Sequence, residues 1–388
     1  MNDSRQTEYD VAIAGAGPAG SSLAIRLACR DLRVLLVEQK KFPREKLCGE
    51  FISPECLAHL DELGIAPVIA AACGTEINQT VFYARGGRSV TVPSAWFNGN
   101  GQPALGLSRA ELDLTLMNRA KEAGVDVREE TTVSGLLNEH ESVHGVVLKR
   151  KDGSNERCRS ALSVDATGRT RALARFVKNH KRPQATHVAF KTHLKNTEIE
   201  SGTCEIYSYR GGYGGCNMVE DGLANVCFII QTEDARRFGR DPERAFRERL
   251  MSNSRAMKTL GKSSAVKPWL AVPIDRYGRG QLTPAFGLFS VGDAAAFIDP
   301  FTGSGILLAL ESSKVATDAI ESYFAESRNF LKLQTDYSQT YSCTIDSRLR
   351  FSSVMRAFAY SPILAGMLVT ALRVSPILSR SFARATRS

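Results

Sequence analysis

Apolar and polar positions alternate with two different periods in this chain, and the period changes several times along it. Short apolar runs predict buried strands at residues 10–14 and 33–37. Apolar residues at helical spacing predict helices, and one of these begins at a capping box formed by Ser108 and Glu111. The predicted helices cover residues 21–30, 54–64, 108–123, 242–252, 306–323 and 330–388, and alternation predicts further strands within 76–93, 125–127, 132–164, 186–232 and 287–293. Interleaved strands and helices indicate an α/β protein.

The turn after the first strand is the most informative motif. Gly15, Gly17 and Gly20 form a G-x-G-x-x-G pattern before the first helix, and Glu38 ends the second strand. Gly15 allows a tight turn, Gly17 lets the backbone approach a pyrophosphate, and Gly20 lets helix and strand pack closely. Free N–H groups at the helix N-terminus favour phosphate, and Glu38 can accept hydrogen bonds from a ribose. The motif predicts dinucleotide binding without distinguishing NAD from FAD, and its loop residues are Gly15, Gly17, Pro18, Ala19 and Gly20.

The order of the elements predicts a discontinuous architecture. A β-rich stretch interrupts the α/β pattern twice, and a helical segment follows the last α/β helix. We therefore expect a dinucleotide-binding domain of residues 1–75, 100–175 and 279–330. We expect a β-rich substrate domain of residues 76–99 and 176–278, and a C-terminal helical tail of residues 331–388.

Composition narrows the class of protein and its surroundings. Nine cysteines are scattered without a CxxC pair, and the first residues are polar, so we expect a reduced, cytoplasmic protein with no metal site and no signal peptide. No run of about 18 apolar residues predicts a helix that spans a membrane. The net charge is +9, but no basic block is interleaved with aromatic residues, so we expect no nucleic-acid partner.

Three motifs, taken in order, resemble those of a known superfamily. They are the glycine loop with Glu38, the stretch Asp165-Ala-Thr-Gly168, and Gly292-Asp293 followed by Pro300-x-x-Gly303-x-Gly305. Over about residues 8–325 they resemble the FAD-dependent aromatic hydroxylases, a superfamily that includes geranylgeranyl reductases and flavin-dependent halogenases. The stretch Phe42–Pro54, with 106–109, 211–215 and 219–227, is similar to bacterial oxidoreductases encoded beside type III polyketide synthases. The resemblance implies FAD and a Rossmann-like FAD-binding domain with an inserted antiparallel β-sheet domain and a C-terminal helical segment.

The resemblance also implies which residues contact FAD. Asp293 would bond the ribityl or pyrophosphate portion, and Gly303 and Gly305 would offer N–H groups to the flavin N1/O2 edge. Arg109 and Arg44 would lie near the phosphates or ribose; a solvent-exposed surface arginine is the alternative reading for each. Beyond the glycine loop and Glu38, the implied contacts are Arg44, Cys48, Gly49, Arg109, Asp165, Gly168, Gly292, Asp293, Pro300, Gly303, Ser304, Gly305 and Ile306. Asp165–Gly168 is equally compatible with a plain turn, and Asp293 with a turn cap.

No catalytic residue stands out in the sequence. Cys48 corresponds to a functional cysteine of reductase relatives, although a buried inert cysteine is the commoner case. His193 and Tyr213, on alternating strands, are the other weak candidates, and none has a partner at a diagnostic spacing. The residues that we expect to line a substrate pocket are Lys191, His193, Tyr207, Tyr209, Tyr213 and Trp269.

Departures from the relatives favour one reaction. The Trp-x-Trp-x-Ile-Pro stretch of halogenases and the Tyr-x-Trp-x-Phe-Pro stretch of geranylgeranyl reductases are both missing at residues 212–217. We therefore expect a monooxygenase of secondary metabolism that hydroxylates a lipophilic aromatic or polyketide substrate through a flavin hydroperoxide. A second dinucleotide fingerprint is absent, which fits the hydroxylases that the chain resembles, and the resemblance implies NAD(P)H as a transient reductant. A double-bond reductase or dehydrogenase of the geranylgeranyl reductase type, and a non-catalytic flavin-binding partner of a biosynthetic complex, remain the alternatives.

The C-terminal tail has an unusual charge pattern. No acidic residue and no lysine follow Asp346, yet seven arginines do. The arginines stand at positions 348, 350, 356, 373, 380, 384 and 387, and apolar clusters lie between them. Residues 349–388 therefore predict either peripheral attachment to an anionic inner membrane face or a helical lid packed on the domain.

Overall fold

The computed structural model describes residues 7–72, 74–97, 101–140, 142–177, 184–274, 277–326 and 328–386. Two large sheets organise these residues, and the helices pack around them. The strands are β1 (Thr7–Ala14), β2 (Val34–Val37), β3 (Phe51–Ile52), β4 (Thr75–Ile77), β5 (Gln79–Tyr83), β6 (Ser89–Pro93), β7 (Ala104–Gly106), β8 (Asp126–Arg128), β9 (Thr131–Glu139), β10 (Ser142–Arg150), β11 (Asn155–Asp165), β12 (His187–Lys195), β13 (Thr203–Tyr209), β14 (Gly212–Met218), β15 (Ala224–Gln231), β16 (Ser264–Ala265), β17 (Leu270–Ile274), β18 (Gly278–Arg279), β19 (Leu288–Ser290) and β20 (Ala296–Phe297).

The helices are α1 (Pro18–Ala28), α2 (Pro54–Glu62), α3 (Ala66–Ala71), α4 (Arg109–Glu122), α5 (Ala172–Val177), α6 (Thr232–Arg237), α7 (Pro242–Glu248), α8 (Ser254–Leu260), α9 (Gly305–Ala325), α10 (Phe330–Tyr360), α11 (Pro362–Val374) and α12 (Pro376–Ala385). The predicted helices are present and differ mainly at their ends, except that the predicted tail is divided into three helices and that α3, α5, α6 and α8 were not predicted. The predicted N-cap is present, because the Ser108 hydroxyl accepts a hydrogen bond from the Glu111 N–H at 3.2 Å. The reciprocal half of the capping box is not formed, because the Ser108 N–H donates to Glu220 Oε2 at 2.9 Å instead of to Glu111.

The first sheet has seven strands in the order β8-β2-β1-β11-β10-β9, and β19 pairs with β11. Strands β8, β2, β1, β11 and β19 run parallel, as buried strands of a Rossmann-like unit do. The strands predicted within residues 132–164 form no sheet of their own, because the last of them, β11, also pairs with β1. Helices α1, α4 and α9 cover one face and enclose the largest apolar core.

The second sheet has eight strands in the order β16-β12-β15-β14-β13-β5-β6, and β17 pairs with β12. All of its pairs are antiparallel except β5 with β13. Its strands come from residues 79–93 and 187–274, so a β-rich insertion in a Rossmann-like unit is confirmed as the fold class. The domain boundaries given above stay a prediction.

The C-terminal helices pack against both parts of the molecule. In α10 the buried Arg348 forms an ion pair with Glu311 of α9 at 2.6 Å. Helix α11 lies on β6, where Val369 and Leu372 join Ala84 and Val90 in a small apolar core. Among the residues that the structure describes, no single helix is long and apolar enough to cross a membrane. The bent pair of α10 and α11, which meet at 112°, passes the same test of length and composition.

Candidate cofactor and substrate site

The three motifs meet at the carboxyl edge of the first sheet. Strands β1, β2, β11 and β19 end side by side there, and the residues that follow them form one cleft. The Gly15 N–H donates to the Val37 carbonyl at 2.7 Å, and the Val291 N–H donates to the Asp165 carbonyl at 3.1 Å. Ligands of open α/β sheets bind at this edge. The fold therefore brings together residues that are 270 positions apart in the sequence.

Three glycines make this convergence sterically feasible. A Cβ at Gly20 would lie 1.9 Å from the Gly15 carbonyl oxygen, and a Cβ at Gly15 would lie 2.4 Å from the Ala166 carbonyl oxygen. Gly292, at a φ of +57°, leaves room for Ala19, whose Cβ would be 2.7 Å from an added Cβ. In contrast, a Cβ at Gly17 would meet its nearest neighbour only at 3.7 Å, the Arg109 side chain. A Cβ at Gly17 would therefore make only ordinary van der Waals contacts with two arginines, so the glycine here suits close approach of a pyrophosphate rather than protein packing.

A buried ion network lies beside the glycine loop. Asp113 Oδ1 and Oδ2 accept from Arg109 Nε and Nη2 at 2.8 Å each, and Asp113 Oδ2 also accepts from Arg44 Nη1 at 2.9 Å. Arg44 also donates to Glu38 Oε2 at 3.1 Å, and the same oxygen accepts the Ala16 N–H at 3.2 Å. The reading of Arg109 as a solvent-exposed surface arginine is wrong, because its side chain is 11% exposed.

This network explains the charge of the cleft. Burial lowers the pKa of Arg109, but the Asp113 carboxylate outweighs that effect and raises it above its ordinary value. Lys46 lies in the field of the same groups and is exposed at the cleft. The first turn of α1 contains no acid, and its N-cap Gly17 offers no side chain to the free N–H groups. Three cations and a helix N-terminus therefore face two carboxylates, a balance that suits a pyrophosphate.

The Asp165 side chain stabilises the turn and the helix that follow it. Its buried carboxylate accepts hydrogen bonds from the N–H groups of Thr167, Leu173 and Ala174 at 2.9 to 3.1 Å, and from the Thr167 hydroxyl at 2.6 Å. The acid thus caps the turn and helix α5, and only the backbone around Gly168 is left to contact a ligand. This arrangement favours the plain-turn alternative for the Asp165 side chain.

Asp293 behaves differently from Asp165. Within the described part of the chain its carboxylate accepts no hydrogen bond, and the side chain borders the cleft. Burial raises the pKa of Asp293, while Arg169, Arg109 and Lys46 act in the opposite direction. A carboxylate that the protein leaves without a donor at this edge fits a hydroxyl-bearing ligand such as the ribityl chain of FAD.

The turn at Pro300 forms the far side of the cleft. Gly303 adopts a φ of +64°, in the left-handed region that glycine tolerates, and Gly305 begins α9. Ser304 is buried at the helix N-cap, and its hydroxyl donates to the Thr386 carbonyl at 3.3 Å. Ile306 is buried behind the turn in the core. The first N–H groups of α9 are therefore presented at the cleft, next to the last described turn of the tail.

The stretch from Cys48 to Glu50 rests on the second sheet. Glu50 is fully buried and accepts from Lys191 Nζ at 2.6 Å, from the Arg109 N–H at 2.8 Å, and from His193 Nε2 at 2.7 Å. The Cys48 carbonyl accepts from Asn225 Nδ2 at 3.2 Å, and its half-buried thiol lies beside the Arg109 side chain. Gly49 is exposed to the cavity described below. The buried charges hold this segment against the cleft.

Within the described residues, this cluster is the one place where three side chains of the kinds that bind metal ions lie together. Glu45, Glu50 and His193 place their ligand atoms within 4.8 Å of one another. The Lys191 ammonium bonds both carboxylates, at 2.9 and 2.6 Å. Burial lowers the pKa of Lys191, but the contacts with Glu50 and Glu45 raise it, so the ammonium stays charged and supplies the cation itself. We therefore interpret the cluster as an ion network.

An apolar cavity lies between the second sheet and the Pro300 turn, and the space within it together with its open mouth amounts to about 840 Å³. It reaches from Gly49 and Gly303 at the cleft to Phe382 in the tail. The wall contributed by the sheet includes Thr80, Phe82, Val92, Cys204, Ile206, Tyr213, Gly215, Asn217, Cys227 and Ile229. Sequence reasoning missed all of these except Tyr213, because they come from strands distant in the chain. An apolar wall with few polar groups is typical of a site for a lipophilic molecule.

Tyr213 is the one predicted pocket residue that lines the cavity. Its hydroxyl donates to Asp299 Oδ1 at 2.6 Å, and its ring packs edge-on against Phe301. Burial, together with the Asp299 carboxylate, raises the pKa of Tyr213 well above its ordinary value, so the hydroxyl keeps its proton. Asp299 Oδ2 is buried without a partner. The Tyr213 hydroxyl is thus one of the few polar groups at a wall that also contains Thr80 and Asn217.

The other residues that we expected to line a substrate pocket do not line this cavity. Lys191 and His193 point into the Glu50 network and not into the cavity. The tyrosines at 207 and 209 are fully buried on the opposite face of the sheet from Ile206. Trp269 packs edge-on against Phe228. His193 therefore has no contact with the cavity through which it could act as a base, whereas a role for the Cys48 thiol stays a prediction.

The comparison with protein families agrees with this geometry. Residues 8–318 match the model of the FAD binding domain family, so the chain belongs to that family. It is an FAD-dependent oxidoreductase of the superfamily that the three motifs resemble, and that resemblance is confirmed. The cleft fits the cofactor: the glycine loop, the cationic network and the unpartnered Asp293 lie at one sheet edge.

Relatives of known name include reductases and halogenases. The chain is 26% identical over 363 residues to the digeranylgeranylglycerophospholipid reductase of Methanosarcina mazei, covering 90% of this chain and 84% of that protein. It is 28% identical over 339 residues to the menaquinone reductase of Mycolicibacterium smegmatis, covering 81% and 77%. A flavin-dependent brominase has the same fold, with a TM-score of 0.82 at 21% identity, covering 98% of this chain and 95% of the other.

Proposed function

We propose that this protein is a monooxygenase that hydroxylates a lipophilic aromatic or polyketide substrate held in the apolar cavity. The observation that carries the proposal is the cavity in which the Pro300–Gly303 turn faces a wall of apolar side chains. Such a wall binds a lipophilic molecule and keeps water from the reacting atoms. FAD, when bound and reduced by NAD(P)H, supplies the reducing equivalents for the activation of molecular oxygen.

The protein's own residues have three tasks in this proposal. Gly303 and the first N–H groups of α9 stabilise negative charge on the cofactor, as a helix N-terminus does. Phe82, Phe301 and Ile229 exclude water around the substrate. The Tyr213 hydroxyl, held by Asp299 at 2.6 Å, orients a polar group of the substrate such as a phenol. No group on the cavity wall described here is placed to act as a strong base, which suits a substrate whose ring is already electron-rich.

A double-bond reductase is the second candidate, and two observations favour it. The relatives named above include two reductases of isoprenoid or quinone substrates. The half-buried Cys48 lies next to Gly49 at the end of the cavity. A reductase would add two hydrogen atoms to an unsaturated chain without using oxygen. The same apolar cavity would accept that chain.

The decisive experiment follows the atoms in the product. The purified protein with FAD and NADH or NADPH is incubated with an alkylated resorcinol and with a polyprenyl quinol, each under ¹⁸O₂ and under nitrogen. We expect the resorcinol to gain one labelled oxygen atom, and expect no product under nitrogen. A product that gains two hydrogen atoms under nitrogen would replace the proposal by the reductase. FAD that neither nicotinamide reduces would favour a non-catalytic partner.

Two substitutions separate cofactor binding from catalysis. We expect Asp293→Ala to lower the FAD content of the purified protein more than Cys48→Ser does, measured by flavin absorbance. We expect Cys48→Ala to retain turnover with a modest loss in single-turnover kinetics. A loss of about a thousandfold or more with FAD still bound, which corresponds to roughly 4 kcal/mol, would place the thiol in the mechanism.

A further inference from the structure

Helix α11 exposes apolar residues on the face that points away from the protein. Its inner face packs through Ala365, Val369 and Leu372, spaced as one side of a helix. The outer face carries Ile363, Met367 and Val374, and the chain continues with Ile377 and Leu378 at the start of α12. Ile363, Val374 and Ile377 are 76%, 81% and 79% exposed. Five neighbouring large apolar side chains without a partner are unusual on a protein surface.

The charges around this face are of one sign. Helices α11 and α12 contain no acidic residue. Their exposed arginines are Arg373, Arg380 and Arg384, and these form no ion pair within the described residues. An apolar stripe flanked by arginine suits the interface of an anionic bilayer, where the side chains enter the acyl region and the guanidinium groups meet phosphates.

Not all seven arginines of the tail are available to bind an anionic membrane. Arg348 is buried and paired with Glu311, and Arg356 stacks on the ring of Tyr277. Arg387 lies outside the described residues. Arg350 is exposed on α10. The surface that could meet a membrane is therefore smaller than residues 349–388. The inner face of α11 packs on the second sheet, and its outer face is exposed.

A second cavity lies directly beneath α11. It is narrow and lies between the inner face of α11 and the second sheet, where Leu368, Val369 and Leu372 line it. Phe82, Ile206, Phe301 and Phe382 line both this cavity and the larger one. The two apolar spaces are therefore neighbours, separated by these four side chains, and the second lies against the inside of the helix whose outside is exposed.

We propose that the outer face of α11 and the start of α12 dock on an anionic membrane, so that a lipophilic substrate enters the cavity beneath α11 from the bilayer. The proposal rests on the lipophilic substrate of the proposed function. The path it assigns is short, because one helix separates the bilayer from the second cavity. Between a membrane and a second copy of this chain, the arginine-only flank favours the membrane, since two such faces would repel each other.

The test is sedimentation of the full-length, FAD-loaded protein with phosphatidylcholine vesicles, with and without phosphatidylglycerol. We expect the protein to sediment with the anionic vesicles at low salt, and high salt to release it. Met367→Ser is expected to lower partitioning about tenfold, because it removes an apolar side chain that would be buried in the bilayer. Neutralising Arg373 and Arg380 together is expected to lower it about fivefold for each charge.

The matched control is Met257→Ser, which makes the same change at an exposed methionine of α8. It should leave vesicle binding unchanged, and light scattering should show whether any variant alters the oligomeric state. Equal sedimentation of Met367→Ser and the parent protein, or no binding of the parent protein at low salt, would overturn the proposal. A dimer that Met367→Ser dissociates would assign the face to a second copy. Oxidation of a short-chain soluble phenol is measured separately, so failure of the proposed chemistry would leave this result interpretable.

Discussion

The two ends of the cleft are built in opposite ways. At the glycine loop, charged groups are packed densely and almost every one has a partner: Asp113 bonds two arginines, and one of these also bonds Glu38. At the far end, the cavity wall is apolar, and its polar pair is Tyr213 with Asp299. The first end is specified by electrostatics and the second by shape and exclusion of water. A cofactor of fixed charge suits the first arrangement, and a variable lipophilic substrate suits the second.

This difference predicts that the free energy of unfolding depends strongly on the ion network around Asp113. It should depend much less on the hydrogen bond between Tyr213 and Asp299. Breaking a buried ion network leaves uncompensated charge, whereas removing one neutral hydroxyl loses little. The following experiments test this asymmetry, beginning with the largest expected effect.

Asp113→Ala should destabilise the protein by about 3–5 kcal/mol, because Arg44 and Arg109 would both lose a buried partner. Urea denaturation measures the free energy of unfolding. The control is Asp10→Ala, which removes the ion pair with the exposed Arg33 and should cost about 1 kcal/mol or less. Equal losses in the two variants would show that the buried network has no special weight.

His59 should make the Rossmann-like part sensitive to acid. Burial, with nearby Arg26, lowers the pKa of His59 from 6.5 to about 4. The unfolded chain therefore binds a proton near pH 6.5, while the folded protein binds it only near pH 4. Stability should be fully present above pH 6.5 and should fall by about 3 kcal/mol as the pH drops to 4.

The comparison with His59→Gln isolates this effect, since other buried acids titrate in the same range. The difference in unfolding free energy between the two proteins, measured by urea denaturation from pH 7 to 4, should grow as the pH falls. A difference that stays constant with pH would mean that His59 titrates normally in the folded state.

Tyr213→Phe should have the smallest effect, about 1–2 kcal/mol, because Asp299 keeps the hydrogen bond from the Phe301 N–H at 3.0 Å. The FAD content should not change. The control is Tyr341→Phe, since the buried Tyr341 hydroxyl has no hydrogen-bond partner among the described residues, and this variant should be neutral in thermal denaturation. A loss for Tyr213→Phe as large as that for Asp113→Ala would contradict the asymmetry.

The polar end could be predicted from sequence because its signals are local. Gly15, Gly20 and Glu38 lie within one strand-helix-strand unit, and their spacing alone defines the turn. Asp113 was missed, although its position four residues after Arg109 on a helix is a recognisable ion-pair signal. The pairing with Arg44 comes from a distant segment and has no signal in the sequence.

The apolar end could not be predicted from single strands. In β13 successive side chains point to opposite faces, so Ile206 lines the cavity and Tyr207 is buried on the other side. Alternation shows that two faces exist but not which one meets the cofactor-binding part. Phe301 and Phe382 reach the same cavity from a turn and a terminal helix, which only the tertiary fold brings together.

The interleaving of the two sheets has a consequence for how the chain folds. Val11 of β1 pairs with Leu162 of β11, and Gln79 of β5 pairs with Thr203 of β13. Along the sequence, the strands of each sheet are therefore interrupted by strands of the other. Such pairings between distant segments close large loops before they gain contacts, and proteins dominated by them fold slowly. Until they form, β1 and β5 present unpaired edges, which favour association with other chains. Refolding from denaturant should therefore be slow, and its yield should fall as the protein concentration rises.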